Sequence, residues 1–568
     1  MRGWNINICL SILFLITCGS ERSMLMTVKT RGFWILLATI LGSSMAFIDG
    51  SVVNVAMPRI QLELNASAAS VQWVVEAYAL FLGALILVGG SMGDLFGRKR
   101  MFALGIVIFA AASVWCGLTS DITQLVVARA VQGIGGALLT PESLAILRAS
   151  FDEGQRGKAI GMWSAFSAIT SALGPVLGGW LVQYASWRWI FFINLPFAII
   201  VLVVLYFFVP ESRGEQANRH LDLAGAFLAT IGLGLLVFGL IEANTYGLVH
   251  PLVVGCVLGG IAALIAFIMV ERRSPAPMMP LQLFHSRPFS GTNLLTFFLY
   301  AALGATLYFL PFNLMRVQGY TPTAAGSALL PFTLLMFTLS RWSGGLVVRY
   351  GARLPLVVGP IIVGCGYLLF AVPGIGGSYW TTYFPAVVVL GLGMSITVAP
   401  LTTTVMGAVE DQYAGTASGI NNAVARIAGL LAIAIFGLVV LSTFNLALDN
   451  RLASQNVSAA TSQLLDSERP KLAAAVVPAS VDAPTRARLQ QDISESFITG
   501  FRVASFISAG LAFASALCAA LTVPSRRRAM QKARQERECG DNACTLMYAH
   551  REIDLAHGAD MPEASQKP

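Results

Sequence analysis

Apolar residues run along this chain in long stretches, each near the ~20 residues that cross a bilayer core, with short polar or glycine-rich breaks between them. Fourteen such stretches predict membrane helices at 33–55, 73–92, 101–118, 125–147, 160–182, 189–209, 223–241, 252–270, 291–311, 324–347, 354–371, 383–405, 419–441 and 497–523. The one long break, 442–496, is rich in Ala, Ser and Gln with apolar spacing near 464–477, and predicts an external helical hairpin, with a disordered loop as the alternative. The apolar run at 6–18 is too short to span. Residues 1–32 therefore read as an N-terminal extension, either a signal-like core or sequence upstream of a true start at Met24 or Met26.

Composition agrees with that pattern. Of 568 residues, 56% are hydrophobic and 12% charged, and the mean hydropathy is +0.71. A soluble domain could not hide so much apolar surface, so the class is an all-α polytopic membrane protein. The formal charge of +8 sits in loops and in the tail, which is a membrane-topology signature and implies no nucleic-acid partner. On one face, short loops and the stretch before the first helix hold fifteen Lys or Arg, from Lys29 to Arg353; the short loops opposite hold three, Arg59, Arg188 and Arg316. The basic face is expected to be cytoplasmic, with both termini there and the chain in the cell inner membrane. The basic tail, 524–568, begins with Arg526, Arg527 and Arg528 and is expected to lie on anionic membrane lipid.

Cysteines give little chemistry. Cys116, Cys256, Cys365 and Cys518 fall in apolar runs and read as packing residues. Cys539, Cys544, His550 and His557 have no usual zinc spacing, so no metal site is expected.

The break GGSMGDLFGRKR, 89–100, carries a specific arrangement. Gly90 and Gly97 permit a tight turn and close packing, Asp94 sits at a helix end, and Arg98 and Lys99 mark the basic face. The loop GGLVVRYGAR, 344–353, repeats it in degenerate form: Gly344, Gly351 and Arg353 fall in register with Gly90, Gly97 and Lys99, while Val348 replaces the acid. The repeat divides the chain into six-helix bundles at 33–209 and 286–523, with a linker and two inserted helices at 210–285. Two such halves around a cavity make an alternating-access transporter architecture.

Ionisable groups within apolar spans mark function. Asp49 lies seven residues short of Ala56, at the outer end of the first helix, and Arg129 seven residues past Ile122, just before the fourth. Both therefore sit about 10 Å below the same boundary. Gln132 continues the face of Arg129 and is also a candidate for the substrate cavity, and Glu76 enters the second helix at comparable depth. Asp49, Glu76 and Arg129 are expected to form one buried charge cluster that loads and releases a proton, or alternatively a static ion pair. In the fifth helix, Gly174, Gly178 and Gly179 offer a smooth packing surface beside Pro175, which bends it. On and near the ninth helix Phe297, Tyr300 and Tyr308, with Asn293, Arg341 and Arg426 as polar punctuation, suggest walls of a substrate cavity for bulky amphipathic compounds.

The pattern G-x-x-x-D-x-x-G-R-K at 90–99 resembles the loop between the second and third helices of the major facilitator superfamily. IDGSVVNVAMP (48–58) and LVVARAVQGIGGA (125–137) resemble its first- and fourth-helix motifs, and ALGPVLGGW (172–180) its antiporter motif, with Thr170 in place of one glycine. SWRWIFFINLP (186–196), ERRSPAPMMPLQLF (271–284) and SGINNAVARIAG (418–429) are similar to segments of the fourteen-spanner EmrB/QacA branch, and the resemblance covers 32–524. It implies the major facilitator fold, two six-helix bundles plus two inserted central helices. It also implies a drug:proton antiporter in which the helix-4 arginine takes part in proton transfer, with no cofactor beyond the proton gradient. An adaptor and an outer-membrane channel follow by analogy alone. A narrow-specificity exporter of a siderophore, amino acid or secondary metabolite is the nearest alternative, and a membrane sensor or enzyme on the same scaffold the next. No G-x4-G-K-[ST] loop is present, and no histidine falls in a predicted span.

Overall fold

Each apolar run becomes a helix whose ends are set by local chemistry. The computed structural model describes residues 28–213, 222–275, 277–410, 413–453, 459–477 and 481–526. Most of the N-terminal extension, the Cys/His group and the tail beyond Arg526 lie outside these residues.

The spans are α1 (Val28–Glu63), α2 (Ala68–Phe96), α3 (Arg98–Leu118), α4 (Ile122–Ser150), α5 (Glu153–Tyr184) and α6 (Trp189–Phe208), then α7 (Leu223–Tyr246) and α8 (Pro251–Arg273). The second half holds α9 (Arg287–Phe312), α10 (Leu330–Tyr350), α11 (Arg353–Phe370), α12 (Tyr379–Gly407), α13 (Ala414–Ala453) and α14 (Ala483–Thr522). Side chains close several N-termini, where free N–H groups need acceptors. Ser67 accepts from the Ser70 amide at 3.1 Å, Asp121 from Gln124 at 3.1 Å and Asp222 from Gly225 at 2.7 Å. Gly97 ends α2 and opens α3 at φ +112, a backbone region closed to residues with a Cβ. Gly351 does the same between α10 and α11 at φ +80, so the internal repeat is structural as well as sequential.

Helices α1–α6 pack as one bundle and α9–α14 as another, and α7 lies in the seam between them against α2 and α13. Leu80 of α2, Leu233, Val237 and Ile241 of α7, and Leu430 and Ala434 of α13 form that shared apolar patch. Helix α8 packs on α7 and otherwise turns outward, with Leu258, Ile261 and Ile265 exposed as expected of a lipid-facing span.

Two expectations need correction. The tenth span is broken: a short helix, Pro322–Ser327, precedes α10, because Pro331 has no N–H to continue the ladder. The segment 442–496 is not a separate hairpin. Helices α13 and α14 run 40 residues each, about 60 Å, twice the ~30 Å bilayer core. They stay helical outside it because Leu448 and Leu452 bury against Leu489 and Ile493, and Arg451 pairs with Glu495 and, at 3.7 Å, with Asp492. A short helix, Ala459–Glu468, and the turn Arg469–Ala474 then fold back onto the seam, where Gln61 of α1 donates to the Lys471 carbonyl at 3.1 Å.

Candidate functional site

The halves meet at the end opposite the basic loops. There Gly174 and Gly178 face Ser51 and Val52 of α1, while Pro175 and Gly179 face the short helix of the other half. A Cβ on Gly178 would come within 3.0 Å of the Val52 carbonyl oxygen, and one on Gly179 would collide with the Pro322 carbonyl. Gln183 accepts from the Thr323 amide at 3.2 Å, and Arg316 donates to the Pro58 carbonyl. The glycine-proline motif of α5 therefore serves both intra-half packing and closure between halves.

At the basic end the halves stand apart around a cavity of about 1750 Å³. Gly90, Asp94, Glu142 and Arg148 line it from one half, and Asn422 and Arg426 from the other. At its mouth Arg98 holds Asp94 through Nε and Nη2 at 3.0 and 2.8 Å, and Lys99 donates to the Tyr206 carbonyl at 3.3 Å. Glu211 accepts from the Lys99 amide at 3.0 Å and completes the turn around Gly97.

Asp49 and Arg129 meet inside the first bundle. Nη1 of Arg129 lies 2.5 Å from Oδ2 of Asp49 and donates to Oε1 of Gln132 at 2.7 Å; Gln132 donates to Oδ1 of Asp49 at 2.8 Å. Nε of Arg129 donates to the Val74 carbonyl at 3.1 Å, and its guanidinium lies 4.2 Å from the Tyr78 ring centroid. Behind Gln132, Ser113 accepts from Asn194 at 2.9 Å and donates to the Phe191 carbonyl at 2.9 Å. Asp49, Gln132, Ser113 and Asn194 are 0% exposed and Arg129 1%, and none of them lines the large cavity. The acid of the first helix and the guanidinium of the fourth therefore meet as a buried pair.

Glu76 does not join them. Arg129 touches Val74 and Tyr78, and Glu76 is two residues from each, roughly 200° around the helix and so on its opposite face. It is fully buried, and neither carboxylate oxygen has a hydrogen-bond partner among the described residues.

Of the residues expected around the substrate, Arg426 lines the large cavity. Gln132 belongs to the Asp49–Arg129 group. Asn293 donates to the Phe289 carbonyl at 2.9 Å and accepts from Asn421 at 3.1 Å, tying α9 to α13. Phe297 and Tyr300 pack on the second bundle's core, and Tyr308 borders a smaller cavity at the opposite end. They fall away from the large cavity because α9 is wedged between α13 and α14, where its aromatic face fills interhelical space. The side chain of Arg341 lies outside the described residues. Ser113, Asn194 and Glu142 were missed; the available signal was a polar residue in an otherwise apolar run, which is costly in a membrane unless it has a role.

The Major Facilitator Superfamily profile matches residues 39–433. This chain belongs to the major facilitator superfamily. It is 32% identical to the tetracenomycin C resistance and export protein of Streptomyces glaucescens, over 86% of this chain and 91% of that one. It is 35% identical to the multidrug resistance protein Stp of Mycobacterium tuberculosis (strain ATCC 25618 / H37Rv), over 73% and 77%. In fold it resembles a bacterial homologue of the human lysosomal transporter Spinster, with TM-score 0.61 at 17% identity over 86% of this chain and 97% of that one. It also resembles the xylose transporter XylE of E. coli, with TM-score 0.53 at 14% identity over 87% and 97%. As a member of the superfamily it is a multi-pass membrane transporter, and the described residues hold fourteen helices long and apolar enough to span.

Proposed function

We propose that this protein exports amphipathic organic compounds in exchange for protons. The basic end faces the cytoplasm of a cell's inner membrane, both termini lie there, and the large cavity receives substrate from that side. The observation that carries this reading is the buried Asp49–Arg129–Gln132 group, placed one helix from the glycine-proline motif that closes the opposite end.

The coupling follows from charge balance. An ionised Asp49 is satisfied by Arg129 and by Gln132; a protonated Asp49 loses the ionic part of that bond and frees the guanidinium toward Tyr78. A proton taken by Asp49 from the outer side loosens the link between α1 and α4, and its release inward restores it. The first half then has two arrangements biased by one proton, which can shift the balance between the two states that alternating access requires. The proton gradient is the energy source, and no cofactor takes part in this scheme.

Resistance and export names among the relatives support a toxic-compound substrate. In a two-membrane cell, an adaptor and outer-membrane channel would extend the same path. The test is a growth-inhibition panel with and without the protein, repeated after the proton gradient is collapsed. Protection that disappears with the gradient, and is absent in Asp49→Asn at unchanged abundance, is the expected result; undiminished protection by Asp49→Asn would remove the coupling scheme.

A further inference from the structure

Glu76 is a buried acid that the coupling scheme above leaves unused. It stands on the face of α2 that turns toward the second half, in the seam sealed while the cavity opens at the basic end. Along that seam Gln72 presses on Gly437 of α13, whose Cβ, if present, would stand 2.6 Å from the amide oxygen. Further inward Gly83 of α2 faces Arg426. Between these two contacts α7 and α13 present to α2 the apolar patch of Leu233, Val237, Ile241, Leu430 and Ala434.

The groups that could answer the Glu76 carboxyl are few. From α9 the Tyr308 phenol is within reach of its charge. On α7 the next acid is Glu242, beside Ile241 and partly exposed. The cations around it are committed elsewhere: Arg129 is bound to Asp49, Arg426 lies roughly two turns inward, lining the large cavity, and Lys471, which lines the smaller outer cavity, pairs with Glu468 at 2.6 Å. A carboxylate sealed without a cation or a donor is disfavoured relative to the neutral acid. Beside it, Gln72, Tyr308, Phe312 and Gly437 line a cavity of about 320 Å³ that brings water-sized space from the outer end to the neighbours of Glu76.

We propose that Glu76 is a second proton-binding site, separate from Asp49–Arg129, that locks the outer seam. When the seam parts, external water donates a proton to a carboxylate oxygen of Glu76, and α2 closes on α9 and α13 only over the neutral acid. On the next opening the proton returns to external water, so it is not among those exchanged for substrate. External acidity thus favours the state open to the cytoplasm, and external alkalinity holds the outer seam apart by keeping Glu76 ionised. The inference rests on the exporter reading only in requiring the halves to part at the outer end.

The test places spin labels at Tyr184 and Trp380, both exposed at the outer ends of α5 and α12, in the full-length protein with its native cysteines replaced. Distances are recorded from about pH 4 to about pH 8, across and above the carboxylate range. In the otherwise wild-type chain the long-distance population should grow several-fold with pH. In Glu76→Gln, which copies the neutral acid, the short distance should persist at every pH; Glu76→Leu, which fills the apolar seam without a titratable group, should behave alike if Gln disturbs the fold. Asp49→Asn should keep the pH-dependent opening while losing transport, so the two readings fail separately. A wild-type profile that does not change with pH, or one that survives in Glu76→Gln, overturns the lock.

Discussion

Gly326 stands so close to Pro175 that a Cβ on it would overlap the Pro175 carbonyl oxygen. The contact joins the α5 motif of one half to the short helix before α10 in the other, at the end opposite the basic loops. A proline in mid-helix leaves one carbonyl in the preceding turn without its usual donor and bends the helix. A glycine opposite lets the second backbone approach that bend.

Gly326→Val is therefore expected to prevent outer closure while leaving each bundle intact. Transport should fall by tenfold or more, with thermal unfolding in detergent little changed, and the distance between labels at Tyr184 and Trp380 should lengthen. Gly326→Ala should give a smaller loss in the same direction.

Single removal of either partner in the Asp49–Arg129 pair leaves an uncompensated charge in a sealed site. Asp49→Ala or Arg129→Ala is expected to destabilise the protein by about 3–5 kcal/mol. The double change Asp49→Asn with Arg129→Gln should recover most of that stability without restoring transport. Thermal unfolding and transport, measured on the same preparations, separate the two effects.

The turn at Gly97 gives a third expectation. At φ +112 a Cβ is strained by about 1–3 kcal/mol, and it would also press on the Glu211 carboxyl, whose Cδ would lie 2.7 Å away. Gly97→Ala should lower stability by that order and loosen the contact between Glu211 and the Lys99 amide, read as faster hydrogen exchange at the start of α3.

The first turn of α14 should respond to pH. Asp482 accepts from the Thr485 amide at 3.1 Å, and that bond holds its carboxyl below the usual range. A depressed carboxyl contributes stability above its ordinary titration range and loses it as pH falls through the folded value. Exchange protection at the Thr485 and Arg486 amides should drop in acid, and Asp482→Ala should show the dropped level at neutral pH.

The fourteen spans were legible because span length and apolarity are properties of a single helix. Asp49 and Arg129 were legible because depth can be counted from a boundary. Which way a side chain points could not be counted in a helix that is apolar all round, since no polar face fixes its rotation. Glu76 and Arg129 therefore shared a depth without sharing a face. The aromatics of α9 were misplaced for the same reason: nothing in their spacing separates a wall of the cavity from a wedge between α13 and α14. The extension of α13 and α14 beyond the bilayer was hidden because helices 442–453 and 483–496 are amphipathic toward each other rather than toward lipid.

That extension has a mechanical consequence. From Ala483 to Phe497, α14 projects as a stiff rod of about 20 Å. Rotation of its bundle by about 15°, a size known for rigid-body switching, would carry the tip sideways by about 5 Å. Because the turn at Arg469–Ala474 hangs from these rods and rests on α1, sideways travel of the tips pulls directly on the lid over the midline. Anything that grips the tips on that side of the membrane gains leverage over the whole cycle.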